Sequence, residues 1–440
     1  MRFSLPGTKV PHRKNTASMQ PVRMPTPTIV TIPMQMHIGN SACPVVKQGD
    51  KVYVGTLIGE ADGSISAPIH SSVSGVVKKI EQITISNGNI CNAVVIESDG
   101  EMKLDESVRP PVIDSKEALI SAIKDSGIVG LGGAGFPTHV KFNVDTDKIE
   151  QLVINGAECE PYITSDTRTM IDRAEDIKLA LSYFEKYLGI KKIVIGIEKN
   201  KPEAIASMKA LAAEDNAVTV KVLPSIYPQG GEKVLVYNTI GKVIPVGKLP
   251  IDVGCIVSNC TTIADIGKYI KTGMPLVEKC ITVDGSSVKN PMNVIAPIGT
   301  ALSDVFEFSG GYSSEPSKIL YGGPMMGIAV PDTSVPVLKN TNAILAFDRR
   351  DAVLAEPQPC IKCGRCLNAC PFGINPPALA KALSQHDIEA MEKFGGDACM
   401  ECGCCSFVCP ANRPLVQNHR LIKAELREHR AKNNINGGNK

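Results

Sequence analysis

The feature that most constrains this chain is a cysteine spacing that occurs twice near its C-terminal end. Cys360, Cys363, Cys366 and Cys370 follow the pattern C-x₂-C-x₂-C-x₃-C-P, closed by Pro371, and Cys399, Cys402, Cys405 and Cys409 repeat it, closed by Pro410. Two-residue gaps let three thiolates converge on one cubane from a single tight loop. The fourth has to arrive on a segment leaving in another direction, which the following proline enforces by fixing φ and removing a backbone donor. Zinc sites also use C-x₂-C pairs. Two complete repeats, each with its proline, match iron–sulfur ligation instead.

The paired run resembles the bacterial two-cluster ferredoxins, in which the fourth cysteine of each run ligates the other cluster. That resemblance implies one [4Fe–4S] cluster on Cys360, Cys363, Cys366 and Cys409 and a second on Cys370, Cys399, Cys402 and Cys405, with Cys404 a bystander. Cys43, Cys91, Cys159, Cys255, Cys260 and Cys280 are dispersed, and most of them read as small buried apolar residues.

With 47 basic and 45 acidic side chains the net charge is +2, and tryptophan is absent, so neither electrostatics nor base stacking points to a nucleic-acid partner. No apolar run reaches the roughly 18 residues a membrane-spanning helix needs. The first residues are basic but lack an apolar core, so no secretory signal is visible and a soluble, cytosolic chain is expected. In that setting 15 cysteines favour metal ligation over disulfides.

The 440 residues divide into four regions. Residues 1–110 show short strands broken by glycine and proline, as in Lys51–Gly55 and Val73–Val77, and predict a small all-β domain. Residues 111–275 alternate strands and helices: a serine-capped helix over Ser115–Ser126, strands at Gln151–Asn155, Lys192–Ile197 and Val218–Leu223, and a helix over Pro202–Ala213. This predicts an α/β domain with a parallel sheet. Residues 276–350 return to strands and glycine turns. Residues 351–440 hold the cysteines with predicted helices over Pro376–Phe394 and Leu415–Lys432, the second basic and amphipathic. Its His419, Arg420, Lys423, Arg427, His429 and Arg430 read as a solvated face.

Gly130, Gly132, Gly133 and Gly135 form a glycine loop followed by Pro137 and Lys141. A Rossmann fingerprint needs a strand before the loop and a helix opening from it. Here a helix precedes and a proline follows. On its own the loop fits a structural turn or a backbone cradle for phosphate.

The loop resembles the flavin loop of the NADH-binding subunit of respiratory complex I. Further motifs of that family follow in the same order. They are Asn155-Gly-Ala-Glu158-Cys-Glu160-Pro161, Tyr227-Pro-Gln-Gly230-Gly231-Glu232-Lys233, and Ser258-Asn259-Cys-Thr261-Thr262. Nearly the whole chain is similar to the RnfC family, the C subunits of Rnf complexes, which are ion-translocating ferredoxin:NAD oxidoreductases. There Pro44–Asp50 and Ala67–Val77 look like a biotinyl/lipoyl-type barrel-sandwich domain, and Cys280–Gly323 like a β-grasp (SLBB-like) module. Lys78 and Lys79 lie outside any usual lipoyl or biotin acceptor sequence.

The resemblance implies a multidomain α/β chain carrying FMN, NAD(H) and two [4Fe–4S] clusters. Gly130, Gly132, Gly133, Gly135 and Lys141 would hold the flavin phosphate and ribityl chain. Asn155, Glu158, Glu160, Tyr227, Gly230 and Glu232 would surround the ring system and nicotinamide, with Asn259 and Thr262 adding polar contacts. It further implies hydride exchange between NADH and FMN with no acid or base side chain required. Single electrons would then pass through the clusters to Rnf partners (membrane subunits D and G, and the ferredoxin-reactive RnfB). The chain would sit peripherally on the cytoplasmic face. Leu131 stands where the complex I motif has arginine, and Ala157 where it has aspartate. These departures keep open an electron-wire or scaffold role without its own flavin. Glu158 and Glu160 taken alone fit a solvated acidic loop.

Metal analysis checks the cysteine reading. The expectation is about eight irons and eight acid-labile sulfides per chain, the content of two cubanes; zinc in place of iron would refute it.

Overall fold

The computed structural model describes residues 5–85 and 88–437. In the N-terminal module, Ile29–Pro33, Ile90–Ser98, Gly75–Thr84 and Lys51–Val52 form a four-stranded antiparallel sheet, in that order. Cys43–Pro44, Leu57–Glu60 and Ile69–His70 form a three-stranded one. Period-two patterning sends Val30, Ile32 and Ile96 from the first sheet, and Ile58 and Ile69 from the second, into one core.

The α/β region is a parallel sheet in the order Val218–Leu223, Ile193–Glu198, Gln151–Gly156, Cys255–Asn259. The central strands read as apolar runs because both faces are covered. Leu152, Ile154, Ile195 and Ile197 pack with Ile177, Phe184, Met208 and Ile263 from the helices Ala174–Leu188, Pro202–Ala213 and Cys260–Thr272. On the opposite face Val153 and Val257 meet Leu235 and Val236 of the helix Glu232–Ile240. Close approach of the Ala174 and Cys260 helices requires Gly267, where a Cβ would lie 1.9 Å from the carbonyl oxygen of Asp176. Lys116–Asp125 is helical, with Ser115 accepting from the N–H of Ala118 at 3.2 Å as the predicted cap.

A six-stranded mixed sheet follows. Its order is Val22–Arg23, Met292–Pro297, Glu278–Asp284, Ala343–Phe347, Lys318–Tyr321, Ile328–Ala329. The helix Leu302–Phe308 lays Val305 and Phe306 on Ile281, Val283 and Val294. The edge strand Val22–Arg23 comes from far upstream and pairs parallel with Val294 and Ile295.

In the cysteine-rich region the helix predicted over Pro376–Phe394 is two helices, Pro376–Ser384 and Ile388–Lys393. His386 adopts φ +53°, and the Asp387 side chain caps the second helix at the N–H of Ala390, so the chain turns instead of continuing. The helix Leu415–Gly437 buries Ile422 and Leu426 against Leu379 and Met391. Its basic face is not simply solvated. Arg420 and Lys423 pair with Glu401, Arg430 pairs with Glu392 and Asp397, and His419 is 2 % exposed. No helix among the described residues is long and apolar enough to cross a membrane.

Lys339 joins three regions. It is wholly buried and donates to the carbonyls of Pro68 (2.6 Å) and Gly127 (2.7 Å). Burial lowers its pKa from 10.5 to about 7. Between these values the unfolded chain holds a proton that the folded chain has shed, so stability rises with pH across that window. In denaturant titrations the stability of wild type relative to Lys339→Met should therefore shift in favour of wild type between pH 7 and pH 10. A pH-independent difference counts against the assignment.

Candidate functional site

A cleft of about 440 Å³ opens at the C-terminal ends of the strands Gln151–Gly156 and Cys255–Asn259. Open α/β sheets place ligands at this end. The glycine loop forms one wall. A bridge between Val129 and Pro137 closes the loop, and the N–H of Gly130 donates to the carbonyl of Phe136 at 2.9 Å. Its backbone is held from outside: the N–H of Leu131 donates to Thr262 Oγ1 (3.0 Å), and Asn340 donates to the carbonyl of Gly133 (3.1 Å). Among the described residues, the N–H groups of Gly132, Gly133 and Ala134 donate to nothing, and a Cβ on Gly133 would meet nothing within 4 Å. That is the donor-lined, uncrowded backbone a phosphate or ribityl chain needs.

Twelve of the thirteen residues expected to contact flavin or nucleotide line this cleft: Gly130, Gly132, Gly133, Gly135, Lys141, Asn155, Glu158, Glu160, Tyr227, Gly230, Glu232 and Asn259. Thr262 does not; it holds the loop from behind. Lys141 donates to the carbonyl of Val257 at 2.9 Å, and burial lowers its pKa. Asn155 donates to the carbonyl of Gly230 at 2.9 Å.

The two glutamates are not a solvated acidic loop. The Glu158 carboxylate accepts from the N–H of Asp166 (2.6 Å), the N–H of Thr167 (3.3 Å) and the Thr167 hydroxyl. It thereby caps the helix Ser165–Asp172 at its positive end. Glu160 accepts from the N–H groups of Met325 (3.0 Å) and Met326 (2.8 Å), tying the β-grasp turn to the cleft. Burial raises the pKa of each to about 7.

Sequence reasoning missed Lys14, Asp166 and Met400. Lys14 reaches in from the N-terminal segment and donates to the carbonyls of Glu158 (2.8 Å), Glu160 (2.8 Å) and Ile163. All three ammonium donors thus meet backbone oxygen acceptors, as a buried lysine requires, while burial lowers its pKa to about 8. Asp166 accepts from Asn259 and from the Thr261 hydroxyl, both at 2.7 Å. Lys14 and Asp166 lie in no motif with fixed spacing, Met400 fills an unspecified position of the Cys399–Cys402 spacing, and only the fold brings them together.

The two cysteine runs make the same turn. Lys362 and Gly364 have φ +57° and +75°, and Glu401 and Gly403 have +59° and +81°. Cys360, Cys363, Cys366 and Cys409 line one hollow. Cys370, Cys399, Cys402 and Cys405 line another, with Cys404 beside them. Each hollow thus gathers three cysteines of one run and the fourth of the other, a soft all-sulfur donor set suited to an iron–sulfur cluster. Among the described residues no three His, Cys, Asp or Glu are placed to share a single metal ion. Burial pushes the thiols of Cys399 and Cys405 up to about 11 and about 12, so ligation relies on the charge of the iron to offset the loss of their protons.

The second hollow abuts the cleft. Met400 lines both, and a Cβ on Gly231 would lie 2.3 Å from Met400 Cε. The Tyr227 hydroxyl donates to the carbonyl of Cys402 at 2.7 Å, and the Cys404 thiol lies 3.7 Å from the carbonyl of Tyr227.

Four family descriptions match successive segments. They are the RnfC barrel sandwich hybrid domain (residues 3–101), the Nuo51 FMN-binding domain (123–268), the SLBB domain (280–329) and the 4Fe-4S dicluster domain (352–412). The chain accordingly carries an FMN-binding domain and a domain for two [4Fe–4S] clusters. Among the relatives, the C subunit of the Na(+)-translocating ferredoxin:NAD(+) oxidoreductase complex of Acetobacterium woodii is 39 % identical over 97 % of this chain and 98 % of its own length. The C subunit of the proton-translocating complex of Clostridium ljungdahlii is 40 % identical over 94 % and 92 %. The C subunit of the ion-translocating oxidoreductase complex of Rhodobacter capsulatus is 38 % identical over 98 % and 84 %.

Replacing Lys14 by Met removes the donor that satisfies three backbone carbonyls. Unfolding in denaturant should show a loss of about 1–3 kcal/mol, the cost of leaving buried acceptors unsatisfied, together with reduced FMN content after purification. A fully stable, fully flavinated variant would show that the strap is dispensable.

With these matches spanning almost its full length, the chain belongs to the RnfC family, the C subunits of ion-translocating ferredoxin:NAD(+) oxidoreductase complexes.

Proposed function

We propose that this chain is the NAD(H)-reactive arm of such a complex and converts two-electron exchange with NADH into single-electron transfer toward partner subunits. The observation that carries this reading is the shared wall. Met400 of the second cysteine run lines both the cleft and the hollow of Cys370, Cys399, Cys402 and Cys405, and Tyr227 of the cleft donates to the carbonyl of Cys402, so the two adjoin. When bound, FMN supplies hydride exchange on one side and one-electron steps on the other, and the clusters accept electrons singly.

The residues divide the remaining work. Gly130, Gly132, Gly133 and Gly135 present backbone donors, and Lys141 sets a positive charge at the same wall. Asn155, Gly230, Asn259 and Glu232 line the region for the ring system and nicotinamide. Glu158 and Glu160 set the shape of the opposite wall through the backbone they cap, and Thr262 fixes the loop. Tyr227 and Met400 exclude water between the cleft and the second hollow. No side chain is needed as an acid or base.

The same adjacency supports an order in which the cluster on Cys370, Cys399, Cys402 and Cys405 comes first and the one on Cys360, Cys363, Cys366 and Cys409 last. Cys360 and Cys363 are exposed, which suits the exit toward a partner. We place the chain peripherally on the cytoplasmic face of the membrane, where the electron partners would be membrane subunits D and G and the ferredoxin-reactive RnfB.

Anaerobic NADH titration of the purified chain tests this order. Wild type should bleach in both flavin and cluster bands. Cys363→Ala should keep NADH bleaching of the remaining cluster, whereas Cys402→Ala should bleach flavin alone. Cluster reduction persisting in Cys402→Ala overturns the order. An iron-loaded chain with no FMN and no response to NADH overturns the function in favour of an electron wire.

A further inference from the structure

A second cleft, about 630 Å³, lies on the far side of the helix Ser165–Asp172, where the helix Cys260–Thr272 faces the strand Glu278–Asp284. Its volume falls within the range of small-molecule sites. Thr169 and Thr261 line it, and the Thr261 hydroxyl donates to Asp166, which lines the first cleft. One layer of side chains therefore separates the two.

Charge is unevenly paired there. Six cations line the cleft: Arg23, Arg168, Arg173, Lys268, Lys271 and Lys279. Four carboxylates face them. Arg23 and Lys268 share Glu278, Arg168 pairs with Asp172, and Arg173 pairs with Asp176 and Asp265. Lys271 and Lys279 are left over. Lys271 is exposed and water can solvate it. Lys279 is 3 % exposed, yet among the described residues its ammonium takes part in no hydrogen bond or ion pair.

The Lys279 stem is buried while its ammonium reaches the cleft with no protein acceptor among the described residues, a costly position that an anion in the cleft would relieve. Burial lowers the Lys279 pKa, with Asp265 and Asp166 nearby acting the other way. The lining holds two more positive groups than negative ones, matching a phosphate monoester, which carries about −1.5 to −2 charge near neutral pH. Arg168 and Arg173 commit their forks to Asp172, Asp176 and Asp265, which leaves Lys279 and Lys271 to meet an anion.

We infer that this cleft is a binding site for a small phosphate-bearing anion, with Lys279 as its buried anchor and Lys271 at its mouth. The site is separate from the flavin cleft and stands whether or not the electron-transfer reading holds. The space exceeds that of a bare phosphate ion, so a phosphate ester fits better than the free ion.

The test is calorimetric titration of the FMN-loaded full chain with glycerol 3-phosphate and with inorganic phosphate, at ionic strength matched with chloride. Wild type should bind the ester more tightly than free phosphate, and saturating NAD⁺ should displace neither. Lys279→Met should weaken binding at least tenfold while raising the melting midpoint measured in chloride, because it removes an unpaired charge. Lys271→Gln, on the surface, should weaken binding severalfold with an unchanged midpoint. Equal binding by Lys279→Met, displacement by NAD⁺, or no binding by wild type overturns the site. If Lys279→Met fails to fold, Lys271→Gln decides, and unchanged affinity overturns it.

Discussion

The cleft depends on one buried charge arrangement. The ammonium of Lys14 gathers the carbonyls of residues 158, 160 and 163, while the carboxylate of Glu158 turns the other way to cap the helix Ser165–Asp172. Glu158 and Tyr162 take left-handed backbone conformations at φ +45° and +70°, which L-residues adopt only when the surroundings compel them. The lysine binds three backbone oxygens of this short turn. Its position fixes Asp166, and Asp166 in turn fixes Asn259 and Thr261 on the next strand–helix junction. Removing the cation would loosen the cleft wall from both strands at once.

What the sequence disclosed follows from how local each signal is. The cysteine runs were legible because cubane geometry dictates two-residue gaps within one loop, and the structure gathers each foursome around its own hollow. The parallel sheet was legible from its apolar strands and capped helices. Twelve of the thirteen residues carried over from the flavin motifs line one cleft. Thr262 shows the limit of such transfer, since its hydroxyl faces the loop backbone and not the cleft.

The rest depended on contacts distant along the chain. Lys14 acts 144 to 149 residues from its partners, and nothing in its neighbourhood distinguishes it from any surface lysine. The strand Val22–Arg23, two residues long, carries no periodicity, and only pairing with Met292–Pro297 makes it a strand. The basic C-terminal helix looked solvated because its partners, Glu401, Asp397 and Glu392, belong to other turns of the same small domain. Propensity is blind to all three, because tertiary context supplies the deciding energy.

The cleft draws Lys14 from one end of the chain and Met400 from the other, around a sheet in the middle. A ribosome delivers these pieces in order, so the strap and the sheet emerge well before the second cysteine run that seals the wall. During that interval the cleft lacks the wall that Met400 supplies and Tyr227 lacks its acceptor at Cys402. Folding of the last cysteine loop is thus the event that turns an open trough into a closed site.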